Sequence, residues 1–123
     1  MTKSSQDSPK ELPQNIFLVL DKHLLPVKQH TMNMGRHPNN DLIINDPRVS
    51  RWHAQIRFEN GDFILYDMDA KFGTFVNNER VNKYVLKTGD TISLANTPVL
   101  FIDRSDKIVR QIDGVTGMLM DEE

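Results

Sequence analysis

The chain of 123 residues contains no cysteine, a single tryptophan and no long apolar run. Without cysteine, a disulfide framework, a thiolate metal site and a cysteine nucleophile are all excluded. The longest apolar run near the N-terminus, Ile16–Leu20, is far shorter than the ~20 residues of a spanning helix and lacks the flanks of a signal peptide. We therefore expect a soluble intracellular protein without a membrane partner, cytoplasmic or, in a eukaryote, nuclear.

An excess of charge of either sign is also missing, because 15 Lys and Arg side chains stand against 17 Asp and Glu, a net charge of −2. Nothing in this balance favours nucleic acid, and no nucleic-acid partner is predicted. Between residues 36 and 57 the balance reverses, since four arginines face two aspartates (4 − 2 = +2). Any anion site is expected in this basic segment.

The chain length allows one hydrophobic core but not two. Residues 1–14 are polar and predict a disordered tail. Residues 15–104 alternate short apolar segments with turn residues, which is typical of an all-β sandwich of two antiparallel twisted sheets. Residues 105–123 contain Gly114 and Gly117 and predict a loosely ordered tail with at most one or two helical turns, starting near Ile108.

Apolar periodicity predicts nine strands, with polar connections between them. Segment 53–59 shows the period of a half-buried strand, with Ala54, Ile56 and Phe58 on one face. Asn60-Gly61 and Asn77-Asn78 tolerate positive φ and predict tight hairpin turns. The predicted strands cover residues 16–20, 27–34, 42–44, 53–59, 63–66, 74–76, 79–81, 91–94 and 99–102.

A candidate phosphate site lies at the ends of these strands. Arg36 follows Gly35 where a strand meets a loop, and Ser50 and Arg51 follow a turn that begins at Asp46. A phosphate offers three acceptor oxygens, which match the paired N–H donors of arginine and the hydroxyl of serine. We interpret Arg36, Ser50 and Arg51 as an anion-binding group.

These residues resemble a known family, the forkhead-associated (FHA) domain. The matching pieces are Gly35-Arg36, the segment from Ser50 to His53, Gly73-Thr74, Asn77 and the turn at residues 88–90. The resemblance covers most of residues 15–103. It implies a two-sheet sandwich whose loops at one end bind phosphothreonine peptides, and hence a signalling adaptor with a threonine-phosphorylated partner and an upstream Ser/Thr kinase.

The resemblance also implies a role for each matching residue. Arg36 and Ser50 would bind the phosphate directly, and Arg51 would join them. His53 would hold Ser50 in place through its ring, and Gly35 would serve close packing. Support of the site is likewise implied for Gly73 and Thr74, and peptide contact for Asn77 and for Arg48, the latter with a preference for an acidic residue three after the phosphothreonine.

The chain departs from the family at Phe72 and Ala70, where asparagine and serine are usual. The amide of that asparagine bonds the peptide backbone, and phenylalanine has no group that donates or accepts there. Lys71 adds a charge beside the site and is assigned to phosphate binding, although a flexible ammonium does not replace a backbone tether. Phe72 is assigned to peptide contact, either as a core residue or as an exposed one.

Several alternatives remain open at this level. The changes at Phe72 and Ala70 suggest a scaffold of the same fold that binds unphosphorylated partners or itself. An enzyme using Ser50 and His53 lacks an orienting carboxylate and is not favoured. A phosphorylated tail threonine, Thr2 or Thr116, would give autoinhibition. No cofactor is implied, and the spacing of His23, His30 and His37 matches no metal site.

Overall fold

The computed structural model describes residues 11–105, which form eleven strands and no helix. None of these residues therefore forms a helix long and apolar enough to cross a membrane. The strands are β1 Ile16–Leu20, β2 His23–Pro26, β3 Thr31–Gly35, β4 Leu42–Ile43, β5 Ala54–Glu59, β6 Asp62–Asp67, β7 Thr74–Val76, β8 Glu79–Arg80, β9 Lys83–Val85, β10 Thr91–Leu94 and β11 Thr97–Asp103.

The strands build two sheets, which confirms the predicted all-β sandwich. One sheet has the order β2-β1-β11-β10-β7-β8 and the other β4-β3-β5-β6-β9. Neighbouring strands pair antiparallel, except that β3 and β4 are parallel with Gly35 opposite Ile43. Because β4 runs in the same direction as β3, both strands finish at the same end of the sheet. Residues 44–53 therefore begin beside the loop that follows β3.

The core lies between the inner faces of the two sheets. Leu18 and Ile92 of the first sheet are fully buried, as is Leu65 of the second. The rings of Phe63 and Phe101 meet across the core with centroids 5.6 Å apart and planes tilted by 56°, within the separation typical of aromatic pairs. The predicted inward face of β5 is confirmed, and the predicted turns at residues 60–61 and 77–78 have the expected positive φ.

Two edge strands are absent from the sequence-based prediction. The connection at residues 21–26 contains β2, which forms a hairpin with β1 through a turn at Asp21, where φ is 57°. The predicted strand over residues 27–34 is wrong in its first half, because β3 begins at Thr31. β2 and β9 each lie at the edge of a sheet, and their solvent-facing residues need no apolar alternation.

The predicted tails are described only in part. Leu12, within the predicted N-terminal tail, is partly buried against the core. The helical turns predicted near Ile108 lie outside the described residues. Division of the chain at residues 14 and 104 stays a prediction.

Candidate functional site

Three connections meet at one end of the sandwich and are called the site loops: residues 36–41, 44–53 and 68–73. The backbone N–H of Arg36 donates to the Ser50 carbonyl at 3.0 Å, and that of His37 to the Arg51 carbonyl at 3.1 Å. The backbone N–H of Lys71 approaches Ser50 Oγ at 3.4 Å. The fold thus brings together the four residues predicted to bind phosphate.

Two arginines of the site loops, Arg36 and Arg51, keep free donors. Arg36 and Arg51 are both exposed. Arg36 Nε donates to the Val49 carbonyl at 3.0 Å, which orients the guanidinium while leaving its terminal nitrogens without a partner among residues 11–105. The Arg51 guanidinium makes no hydrogen bond or ion pair within the same range. Donors of this kind suit an anion with several acceptor oxygens.

Gly35 allows β3 to pass close to residues 50 and 51. A Cβ at Gly35 would lie 2.3 Å from the Arg51 carbonyl oxygen and 2.9 Å from that of Ser50. No side chain fits at such distances, so only glycine permits this approach of two backbones. The position of the Ser50-Arg51 segment over β3 therefore depends on the missing side chain.

His53 joins two site loops through both ring nitrogens. The ring is fully buried. The Ser50 N–H donates to Nδ1 at 3.0 Å, so the ring proton lies on Nε2, which donates to the Gly73 carbonyl at 2.8 Å. Because the backbone of Ser50 occupies Nδ1, His53 is not placed as a general base for the Ser50 hydroxyl. The geometry is that of a structural histidine.

We expect the stability of the protein to fall in mild acid because of His53. Burial lowers the pKa of His53 below its ordinary value of 6.5, opposed by the bond to Gly73 and the charge of Asp67. As the pH falls, His53 is protonated in the unfolded chain before it is protonated in the folded one. The contribution of the neutral ring to the free energy of unfolding is therefore complete above about pH 6.5 and is lost below it. Thermal unfolding of wild type and His53→Gln at several pH values measures this contribution. Melting temperatures that depend on pH in the same way for both proteins would contradict the prediction.

Lys71 and Phe72 are the exposed pair of a tight turn. The Gly73 N–H donates to the Ala70 carbonyl at 3.2 Å, and both of these residues are buried. Between them the Phe72 side chain is 48% exposed. Lys71 Nζ lies 5.6 Å from the centre of the Phe72 ring, within cation–π range. Of the two positions open for Phe72 from the sequence, the structure shows the exposed one.

Arg48 is engaged by an acidic neighbour. Its Nη2 lies 3.2 Å from Asp46 Oδ2, and its backbone N–H donates to Asp46 Oδ1 at 2.9 Å. The hydrogen bonds from Arg48 hold the pKa of the Asp46 carboxyl below its ordinary range. An acidic peptide side chain must therefore compete with Asp46 for this guanidinium.

Asn77 follows β7, on the opposite side of that strand from residues 68–73, and its peptide contact stays a prediction. Asn77 lies at the far end of β7, where Nδ2 donates to Asp90 Oδ1 at 2.9 Å and Oδ1 accepts from the Thr91 N–H at 3.0 Å. Its amide ties the β7–β8 turn to the start of β10. Thr74, at the near end of β7, is fully buried and donates to Asp67 Oδ1 at 2.6 Å.

Asn40 is a buried member of the site loops that the sequence-based prediction misses. Its Nδ2 donates to the carbonyls of His37 at 2.9 Å and Arg51 at 2.7 Å, which ties the first two site loops together. Its Oδ1 is buried and has no hydrogen-bond partner within residues 11–105. The only sequence signal is the pair Asn39-Asn40, which indicates a turn rather than a link to a distant carbonyl.

Replacing Asn40 with alanine is expected to lower the free energy of unfolding by about 1–3 kcal/mol, because the His37 and Arg51 carbonyls each lose one hydrogen bond from the buried amide. Asn39→Ala is the matched control, since the neighbouring side chain is exposed. Urea denaturation of both variants measures the difference. Equal midpoints for the two variants would show that Asn40 does not hold the loops together.

Trp52 lies on the surface of the site loops and packs on one side only. Its side chain is 46% exposed, and its ring stacks on His37 with centroids 4.9 Å apart and an angle of 20°. His37 is thus used in aromatic packing. In the part of the chain that the structure describes, no group of three or more His, Asp or Glu side chains is arranged to hold a metal ion.

Comparison with known proteins places the site loops inside a recognised domain. The family model described as the FHA domain matches residues 32–95. An oxoglutarate dehydrogenase inhibitor of Corynebacterium efficiens is 40% identical over 74 residues, covering 60% of this chain and 52% of that protein. The glycogen accumulation regulator GarA of Mycobacterium tuberculosis is 36% identical over 89 residues, covering 72% and 54%. The chain spans about half the length of these relatives.

Solved structures are similar over nearly their whole length. One, from a study of phosphothreonine-dependent FHA domain interactions, superposes with a TM-score of 0.69 at 27% identity, covering 72% of this chain and 96% of that one. The FhaA FHA domain, solved in complex with the intracellular domain of Rv3910, gives 0.67 at 28% identity and covers 71% and 99%. These values describe one shared sandwich fold.

Proposed function

Because this chain belongs to the FHA domain family, we propose that it is a non-catalytic module that binds threonine-phosphorylated proteins through its site loops. The observation that carries the proposal is that hydrogen bonds between the site loops bring the backbones of Arg36, Ser50, Arg51 and Lys71 together. Arg36 and Ser50 bind the phosphate, Arg51 joins them, and Lys71 adds charge. A kinase acting on the partner is the implied upstream step, and the cytoplasm is the proposed compartment.

The strength of this site suits reversible signalling. Each charge-assisted hydrogen bond contributes about 1.5–3 kcal/mol, and a micromolar complex needs about 8 kcal/mol. Three such bonds together with peptide contacts reach that range. Arg48 contributes a preference for an acidic residue in the peptide only as far as that residue displaces Asp46.

Binding of paired peptide libraries, identical except for phosphate on a central threonine, tests the proposal. We expect binding of the phosphorylated library with Kd in the micromolar range and no detectable binding of the unphosphorylated one. Fluorescence anisotropy at two salt concentrations measures both affinity and its electrostatic part. Equal binding of the two libraries, or binding of neither, overturns the proposed function.

A second candidate is a scaffold that binds its partner without phosphate, and the exposure of Phe72 favours it. An exposed ring where an amide is usual offers an apolar contact in place of a backbone tether. Such a partner would remain bound after phosphatase treatment and would not respond to Arg36→Ala. The proposed phosphothreonine module loses its partner under both conditions.

A further inference from the structure

Phe72 is held in an exposed position by the backbone on both sides of it. On one side the turn is closed by the Gly73 N–H and the Ala70 carbonyl. On the other, the Gly73 carbonyl accepts from His53 Nε2 at 2.8 Å and from the Ala95 N–H at 3.0 Å. These bonds hold the backbone of residues 70–73, and the Phe72 side chain is half-exposed on it.

The position of Phe72 beside the proposed phosphate site, more than its exposure alone, indicates a role in ligand binding. Single exposed apolar side chains are normal on protein surfaces and do not by themselves indicate a binding site. Phe72, however, is directly bonded in sequence to Lys71, whose backbone N–H approaches Ser50 Oγ. Among residues 11–105 its ring makes no ring–ring contact, and its one cation–π contact is with the Lys71 ammonium. An apolar surface therefore lies one residue from the proposed phosphate position.

The spacing of residues in the ligand and in the site loop is the same. Consecutive Cα atoms are about 3.8 Å apart in both. A peptide whose phosphothreonine lies at Ser50, beside the Lys71 N–H, therefore has its neighbouring residues about one residue away, the same separation as that of Phe72 from Lys71. The ring has no polar donor or acceptor, so a polar neighbour gains nothing from this contact and an apolar one buries its surface.

We propose that Phe72 makes the site selective for phosphothreonine peptides with a large apolar residue directly next to the phosphothreonine. This inference rests on the proposed function and adds a ligand class to it. The Lys71 ammonium lies 5.6 Å from the centre of the Phe72 ring, so one turn supplies both a charge and an apolar surface. Phe72 acts here as a specificity-determining residue, and phosphate capture remains with the arginines and Ser50.

The test uses degenerate phosphothreonine libraries in which the position before or after the phosphothreonine is fixed as leucine or asparagine. For wild type we expect about tenfold tighter binding of the leucine library at one of the two positions, the scale of one apolar contact in a pocket. Phe72→Asn is expected to remove this preference and Phe72→Leu to retain it in part. Trp52→Ala, a second exposed aromatic on the site loops, is the matched control and should retain it fully.

The outcomes separate this inference from the proposed function. Phosphate-dependent binding with equal affinity for the leucine and asparagine libraries overturns the selectivity and leaves the proposed function standing. A leucine preference that persists unchanged in Phe72→Asn also overturns it. Absence of phosphate-dependent binding to every library overturns the proposed function, and the selectivity with it. Thermal unfolding of each variant confirms that the compared proteins are folded.

Discussion

Replacing Arg36 with alanine is expected to weaken phosphopeptide binding by about 2–5 kcal/mol, the range for removing one partner of a desolvated charge pair. Arg36 is exposed and its only side-chain bond within the described residues is to the Val49 carbonyl. Loss of that bond costs about 1 kcal/mol of stability at most, so the fold should survive. Isothermal titration with a binding phosphopeptide should show Kd raised about thirtyfold or more.

Two further variants make the Arg36 result specific. Arg36→Lys retains the charge but not the planar fork, so it should recover part of the affinity and not all of it. Lys87→Ala removes an exposed charge near Asp90, away from the site loops, and should leave Kd unchanged apart from a small effect of net charge. An Arg36→Ala protein that binds as wild type does would place the phosphate elsewhere.

Replacing Gly35 with alanine is expected to damage folding and binding together. The new Cβ would overlap the carbonyl oxygens of Arg51 and Ser50, and neither backbone atom can move alone because each accepts a bond from β3 or its loop. Overpacking usually costs about 1–3 kcal/mol, and this contact belongs at the upper end. Displacing Ser50 and Arg51 from Arg36 also removes the phosphate site.

Gly89→Ala provides the matched glycine control. Its Cβ would meet nothing within 4 Å, but its φ of +93° penalises any side chain. We expect this variant to lose stability through backbone strain and to bind phosphopeptide normally when folded. Urea denaturation and binding at low temperature measure the two quantities separately. A Gly35→Ala protein with wild-type Kd would show that the loops tolerate the shift.

Local features of the fold were predictable from the sequence, because their causes are local. The alternation of Ala54, Ile56 and Phe58 follows from the two-residue period of a strand, and the turn at Asn60-Gly61 from residues that accept positive φ. The edge strands β2 and β9 were not, since solvent on their outer side removes the periodic signal. These two strands form because they pair with a neighbouring strand, and their own sequence does not indicate this pairing.

The same distinction applies to the candidate site: residues in a sequence motif were predictable, and contacts between residues distant in the chain were not. Motif residues such as Arg36 and Ser50 were identified by their order in the chain, and the fold brings them together. Asn40 was missed because its partner, the Arg51 carbonyl, lies eleven residues away and no periodicity links them. The hydrogen bonds of Asn77 with Asp90 and Thr91 were not predictable either, because a motif gives sequence order but not the end of the sandwich at which each residue lies.

The double hydrogen bond on the Gly73 carbonyl has a consequence for how this domain diverges. His53 approaches that oxygen from the second sheet and Ala95 from the turn beyond β10, so the backbone of residues 70–73 is shaped by groups far away in the chain. The side chains at positions 71 and 72 take no part in shaping it. Substitutions at these two positions are therefore expected to change the ligand preference of the site loops while the hydrogen bonds that hold residues 70–73 stay in place.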